Sequence, residues 1–130
     1  MQTVIIVDDQ SINRIVLRTM LEALGVEVFE ANDGVDGLAM LSSRPFDLLL
    51  SDIHMPQMGG VEMVRQMREG GGPNRDIAVV AVTADTTLNL RDLAVDGFDG
   101  FLAKPITVDG VTRALATERG QAARPVRRAS

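Results

Sequence analysis

The chain has 130 residues, a net charge of -5 and no cysteine. The length gives one domain with a sizeable core, and the missing thiols exclude disulfides, cysteine nucleophiles and Cys-ligated zinc or iron-sulfur sites. The acidic balance disfavours direct nucleic-acid binding; with no apolar run near the ~18 residues of a membrane span and no basic flank on MQTVIIVDD, a soluble cytoplasmic protein is expected.

Thr3 to Val7 is a β-branched run that stops at Asp8 and Asp9, the pattern of a buried strand ending in two acids. A helix then begins at Gln10 or Ser11. Ile12, Val16, Met20 and Leu24 recur at fours, Ile15 and Leu17 widen that stripe, and Gly25 closes it, with Arg14 and Arg18 expected to face water. Glu27 to Ala31 reads as a shorter strand near the sheet edge, followed by the turn Asn32-Asp33-Gly34. Val35, Leu38, Ala39 and Leu41 or Ser42 make a weaker helix that Pro45 shuts off.

The next stretch, DLLLSDIHMPQMGG from Asp47 to Gly60, organises the rest. Three leucines in a row suit a strand buried on both faces, and the run delivers Asp52 to the point where Pro and Gly take over. In open α/β sheets ligands bind beyond the carboxyl ends of the strands, so Asp52 is a site candidate; the plain alternative is an acid that caps the turn. Val61, Val64, Met67 and Arg68 carry the following helix. Glu69 to Pro73, with its three glycines, reads as a loose surface loop. Ala78 to Thr83 is another buried strand, ending at a hydroxyl. Leu88 to Val95 is a short polar helix, Gly100 to Ala103 a last strand cut off by Lys104-Pro105, and Val108, Val111 and Leu115 give a final helix that fades at Gly120. Gln121 to Ser130 lacks apolar periodicity and is expected to be disordered. The expected domain is therefore 1–119 and the tail or linker 120–130.

Five short strands alternating with five helices predict an α/β, doubly wound parallel sheet, because each parallel pair needs a helical crossover. Right-handed crossovers put all strand ends on one rim, and with them Asp8, Asp9, Asp52, Thr83 and Lys104. Three carboxylates gathered there repel unless some are protonated or a cation sits among them. Oxygen ligands without His or Cys point to a hard dication, and a small set that leaves room for water and a phosphoryl group favours Mg²⁺. Thr83 offers a hydroxyl and Lys104, the chain's single lysine, a compact charge, both suited to phosphoryl oxygens. One carboxylate could then serve as a nucleophile.

Four stretches, VDD at Val7 to Asp9, SDIHMPQMGG at Ser51 to Gly60, VTA at Val82 to Ala84 and FLAKP at Phe101 to Pro105, together resemble the response-regulator receiver domains, the CheY-like modules of two-component signalling. The likeness covers Val4 to about Ala116. It implies a flavodoxin-like fold with strand order 2-1-3-4-5. It further implies that Asp52 is the phosphoacceptor, taking a phosphoryl group from a histidine kinase or a histidine phosphotransfer protein. Asp9, Asp52 and the backbone carbonyl of His54 would bind Mg²⁺ directly, and Asp8 mainly through water. Lys104 would pair with the carboxylates and then with phosphate, Thr83 would bond a phosphoryl oxygen, and Pro105 would follow a cis peptide. Phe101 stands at the family's switch-aromatic position; the alternative is an ordinary core phenylalanine.

The module implied is not an enzyme on outside substrates, although it supports its own phosphorylation and dephosphorylation. It would switch a partner surface around Asp85 to Lys104 and the last helix. His54, with Asp85, is expected to hang at the mouth of the site and tune hydrolysis. The rivals are a same-fold interaction module that is never phosphorylated, an aspartate-based phosphatase, whose DxD spacing Asp8-Asp9 lacks, and a flavin binder. NRIVLRTMLEALG and FLAKPI look similar to receivers of hybrid sensor kinases; a stand-alone regulator is nearly as close a fit.

Overall fold

The computed structural model describes residues 1–85 and 87–123. Its elements are β1 (Thr3–Val7), α1 (Ser11–Ala23), β2 (Glu27–Ala31), α2 (Gly34–Ser43), β3 (Leu48–Asp52), α3 (Gly60–Glu69), β4 (Ala78–Thr83), α4 (Leu90–Val95), β5 (Gly100–Ala103) and α5 (Val108–Leu115), then a 3-10 turn at Gln121–Ala123. All pairings are parallel, in the order β2-β1-β3-β4-β5. This is the doubly wound fold, with the strand order that the resemblance implies.

The period of two along each strand divides the core into layers. Val4 and Ile6 of β1, with Leu48 and Leu50 of β3, pack on Leu17 and Leu21 of α1 and Val111 and Ala114 of α5. Ile5, Val7 and Leu49 face the other way, onto Leu41 of α2, Met63, Val64 and Met67 of α3 and Leu93 of α4. Burial on both faces explains why β3 reads as an unbroken apolar run.

Several elements depart from expectation, each for a local reason. In α1 the buried residues are Leu17 and Leu21, while Ile12 and Ile15 are 62% and 57% exposed. A series spaced by fours advances about 40° per step on a helix of ~3.6 residues per turn, so Ile12 and Leu24 cannot share a face. Arg14 and Arg18 do not simply face water: both pair with Glu30 of β2. In α2 the buried face is Gly34, Gly37 and Leu41, and Val35 is exposed. The loop after α3 is exposed at Gly71 and Gly72 but tightly held at its exit. There, buried Asn74 accepts from the Phe46 amide at 2.8 Å and donates to the carbonyls of Leu41 and Arg44 at 2.6 and 2.7 Å.

α4 starts two residues later than expected because the Asn89 side chain caps it, accepting from the Asp92 amide at 2.9 Å. α5 ends at Leu115, not near Gly120. Beyond it Arg119 and Gly120 are tied to Asp99. Gln121–Ala123 forms a turn where disorder was expected, and 124–130, the remainder of the expected tail, lies outside the described residues.

Candidate functional site

The register places the site. Val7 stands opposite Ser51 across β1 and β3, and Asp52 stands opposite Val82 across β3 and β4. One step beyond Val7, Asp8 therefore reaches the level of Asp52, on strands about 4.8 Å apart. On the far side Thr83 pairs with Ala103, which brings Lys104 to the same rim.

Asp8, Asp9 and Asp52 each present a carboxylate oxygen, and these oxygens lie within 4.8 Å of one another. Asp8 and Asp52 are buried while Asp9 is exposed. Asp8 Oδ1 accepts from the Gln10 amide at 2.9 Å, whereas its buried Oδ2 has no hydrogen-bond partner among the described residues. The nearest cation is Lys104, whose Nζ is 3.9 Å from Asp8 Oδ2 and 3.9 Å from Asp52 Oδ2. That separation is too long for a hydrogen bond but close enough for Coulombic attraction. Burial, assisted by the neighbouring charge of Asp52, pushes the Asp8 carboxyl above its usual range, against the opposing pull of the Gln10 amide, Lys104 and Asn13.

Asp52 is held asymmetrically. Its Oδ1 accepts from the amide of Ile53 at 2.7 Å, which leaves Oδ2 directed toward Lys104. The loop after it needs a glycine for steric reasons: a Cβ on Gly60 would lie 2.2 Å from the Asp52 carbonyl oxygen. Gly60 also donates to the Ile53 carbonyl at 2.9 Å, folding α3 tightly back onto the strand end. Gln57, with φ 69°, absorbs the sharpest bend of that loop in the left-handed region.

The remaining expected residues fall around this centre rather than in it. Thr83 is buried, and its hydroxyl oxygen accepts from the Asp85 amide at 3.0 Å. His54 is exposed, and its Nε2 lies 3.6 Å from Asp85 Oδ2 at the mouth of the site; its side chain is outside the acidic cluster. Asp85 is held below the usual carboxylate range first by the hydroxyl and amide of Thr87 and then by His54. The Lys104-Pro105 peptide is cis. Phe101 is 50% exposed, which removes the reading of it as a core phenylalanine. Sequence reasoning named the stretches that contain Asn13, Arg14 and Gly60 but missed what each does at the site, because the contacts of the first two and the steric role of the third appear only in the fold.

A five-stranded parallel sheet with three acids gathered at its carboxyl rim, one with a buried oxygen that lacks a hydrogen bond, defines an α/β module with a candidate cation site, and comparison with known proteins narrows it. Residues 4–116 match the response regulator receiver domain, and the chain belongs to that family. It is 38% identical over 114 residues to the sensor histidine kinase RcsC of Salmonella typhi, an alignment that takes in 87% of this chain but 12% of that protein. Among solved structures it is similar to the chemotaxis protein CheY4 of Vibrio cholerae, with TM-score 0.82, 29% identity and coverage of 89% and 97% of the two chains. It is also similar to the receiver domain of sensor histidine kinase PA1611 from Pseudomonas aeruginosa, at TM-score 0.78 and 26% identity over 88% and 93% of the chains. That structure has a magnesium ion coordinated in its active-site cleft. Among the described residues no helix is long and apolar enough to cross a membrane.

Proposed function

We propose that Asp52 accepts a phosphoryl group from the phosphohistidine of a sensor histidine kinase or histidine phosphotransfer protein, and that this shifts a partner-binding surface. The observation that carries the reading is the buried, unbonded Asp8 Oδ2 beside Asp9, Asp52 and Lys104. A buried carboxylate oxygen without a hydrogen bond carries a desolvation cost that a bound cation repays.

The all-oxygen donor set fits Mg²⁺, which Asp9, Asp52 and the backbone carbonyl of His54 would hold directly and Asp8 mainly through water. When bound, that ion neutralises the carboxylates and the transferring phosphoryl oxygens. The chain's own residues do the rest. Asp52 Oδ2, free of the amide that occupies Oδ1, forms the new bond to phosphorus. The phosphorus–nitrogen bond of the donor breaks, and its electron pair returns to the imidazole nitrogen. Lys104 holds a phosphoryl oxygen by charge, and Thr83, whose oxygen accepts from the Asp85 amide, donates its hydroxyl proton to another.

The responding face is Asp85 to Lys104 with α5, where Leu90, Val95, Phe101 and Val108 are exposed apolar residues. Gln121 and Ala122 line the groove on this face together with Leu90, Val95 and Phe101. Phe101, lacking a hydroxyl, would switch by ring packing alone. His54 and Asp85 would set how fast water removes the phosphoryl group. The RcsC likeness supports a hybrid sensor kinase as the parent protein and the cytoplasm as its place. Acetyl phosphate plus Mg²⁺ tests the reading: intact-mass spectrometry should find one added phosphoryl group, lost in Asp52→Asn and without Mg²⁺. An unmodified wild type would leave a phosphate-free interaction module.

A further inference from the structure

We infer that Arg14 is a positioning residue that sets the relative aim of Asp8 and Asp9 by gripping the peptide between them. The inference rests on the acidic cluster's reading as a dication site.

An extended residue presents its N–H and C=O to the same neighbour. The Asp8 amide makes the last ladder contact with β2, donating to the Ala31 carbonyl at 3.2 Å. β2 ends at Ala31, so the Asp8 carbonyl emerges beyond the partner strand with no amide to meet it. Arg14 takes that place: its Nη1 donates to the Asp8 carbonyl oxygen at 2.6 Å. The same guanidinium is braced through Nε by Glu30 Oε1 at 3.3 Å, and its side chain is 18% exposed. A planar fork that spans a carbonyl and a carboxylate is fixed in orientation, as an ammonium would not be.

The carbonyl that Arg14 holds belongs to the peptide group whose N–H is that of Asp9. Fixing this plane fixes ψ of Asp8 and φ of Asp9, the two torsions that decide where one carboxylate points relative to the other. The outcome is an inward, buried Asp8 and an outward, exposed Asp9 whose oxygens nevertheless meet Asp52 within 4.8 Å. Arg18 offers an internal comparison. It pairs with the same Glu30 and with Glu22, and no contact of it reaches Asp8.

Amide NMR of the full chain titrated with MgCl₂ reads both affinity and the Asp9 N–H itself. Arg14→Met, which keeps the stem and removes the donors, should weaken Mg²⁺ about tenfold, as loss of a group orienting metal ligands does. The Asp9 amide should move even before metal is added. Arg14→Lys should recover part of the affinity, and Arg18→Met should bind as wild type does. A folded Arg14→Met with wild-type affinity, or equal losses in the Arg14 and Arg18 variants, overturns the inference. Should Arg14→Met fail to fold, Glu30→Gln asks the same question by loosening the brace, and unchanged affinity there is equally fatal. A wild type that shows no Mg²⁺ response instead defeats the proposed dication site.

Discussion

Two buried aspartates, Asp8 and Asp99, are each 1% exposed, yet they occupy opposite electrostatic worlds. Asp99 Oδ2 accepts from the Val79 amide at 2.8 Å and from Arg68 at 3.2 Å, while Oδ1 accepts from Arg119 at 2.7 Å and from the Gly120 amide at 2.5 Å. Arg68 is anchored in turn by the carbonyls of Arg75, Ile77 and Gly97. Asp8 has one amide, a distant Asn13, and an Oδ2 that lacks a hydrogen bond and has Lys104 at 3.9 Å. Val79 lies at the entry of β4 and Thr83 at its exit, so the two acids mark opposite ends of the sheet, about 13 Å apart along the strand. A buried carboxylate with a full set of donors welds elements together; one left short of donors fits the proposed cation site.

The largest expected effect tests the welded end. Asp99→Ala leaves the Val79 and Gly120 amides unpaired and strips Arg68 and Arg119 of their counter-charge, and removing one partner of a buried pair costs about 3–5 kcal/mol. Burial already draws the Arg68 guanidinium down to about 10, with the like charge of Arg119 adding to the shift and Asp99 opposing it. Urea unfolding should show that loss in the midpoint. A change below about 1 kcal/mol would mean that Asp99 does not weld the sheet base to the chain after α5.

Asp99 also marks where the sequence stops being legible. Asp52 could be found because a leucine run points at it and Pro and Gly follow; Asp8, Thr83 and Lys104 could be found because each ends a strand. The strand bounds matched most securely where an unbroken apolar run stops at acids or a hydroxyl, as in β1 and β4. Asp99 sits between Phe98 and Gly100 with no pattern around it, and its partners Val79, Arg68 and Arg119 lie 20, 31 and 20 residues away. Such contacts are tertiary and leave no local period. The phase of α1 failed differently, since the apolar residues outnumber what the core accepts, and the surplus Ile12 and Ile15 stand exposed. The true end of α5 was hidden because the Glu118 amide is held by Gln121, and Arg119 and Gly120 by Asp99, instead of by helical hydrogen bonds.

A smaller effect, of opposite sign, tests the rim. Asp8→Asn keeps the shape of the side chain and removes a charge that burial and Asp52 both disfavour. Without Mg²⁺ the variant should be more stable than wild type by about 1 kcal/mol, the usual gain when a functional site is relieved of strain. Adding Mg²⁺ should raise the melting temperature of wild type and hardly that of the variant. A destabilised Asp8→Asn would place Asp8 with Asp99 among the structural acids and erase the contrast between the two ends.

The smallest effect is that same charge read through pH, and its sign follows from the direction of the Asp8 shift. The unfolded carboxyl ionises near 3.8, whereas the folded one holds its proton to higher pH. Between the two values the folded state binds more protons, so the contribution of Asp8 to stability is fully present below about pH 3.8 and is lost as pH rises through the folded value. Mg²⁺ favours the ionised form and must therefore release a proton on binding in that window, so stabilisation by Mg²⁺ grows with pH. Melting curves in EDTA and in Mg²⁺ from about pH 4 to about pH 7 should diverge steadily, and the Asp8→Asn curves should run nearly parallel. In EDTA the pH-dependent part cannot exceed the gain from the substitution, because both measure one charge in one place. Divergence that survives in Asp8→Asn would assign the titration to another group and leave the burial of Asp8 without a role in metal capture.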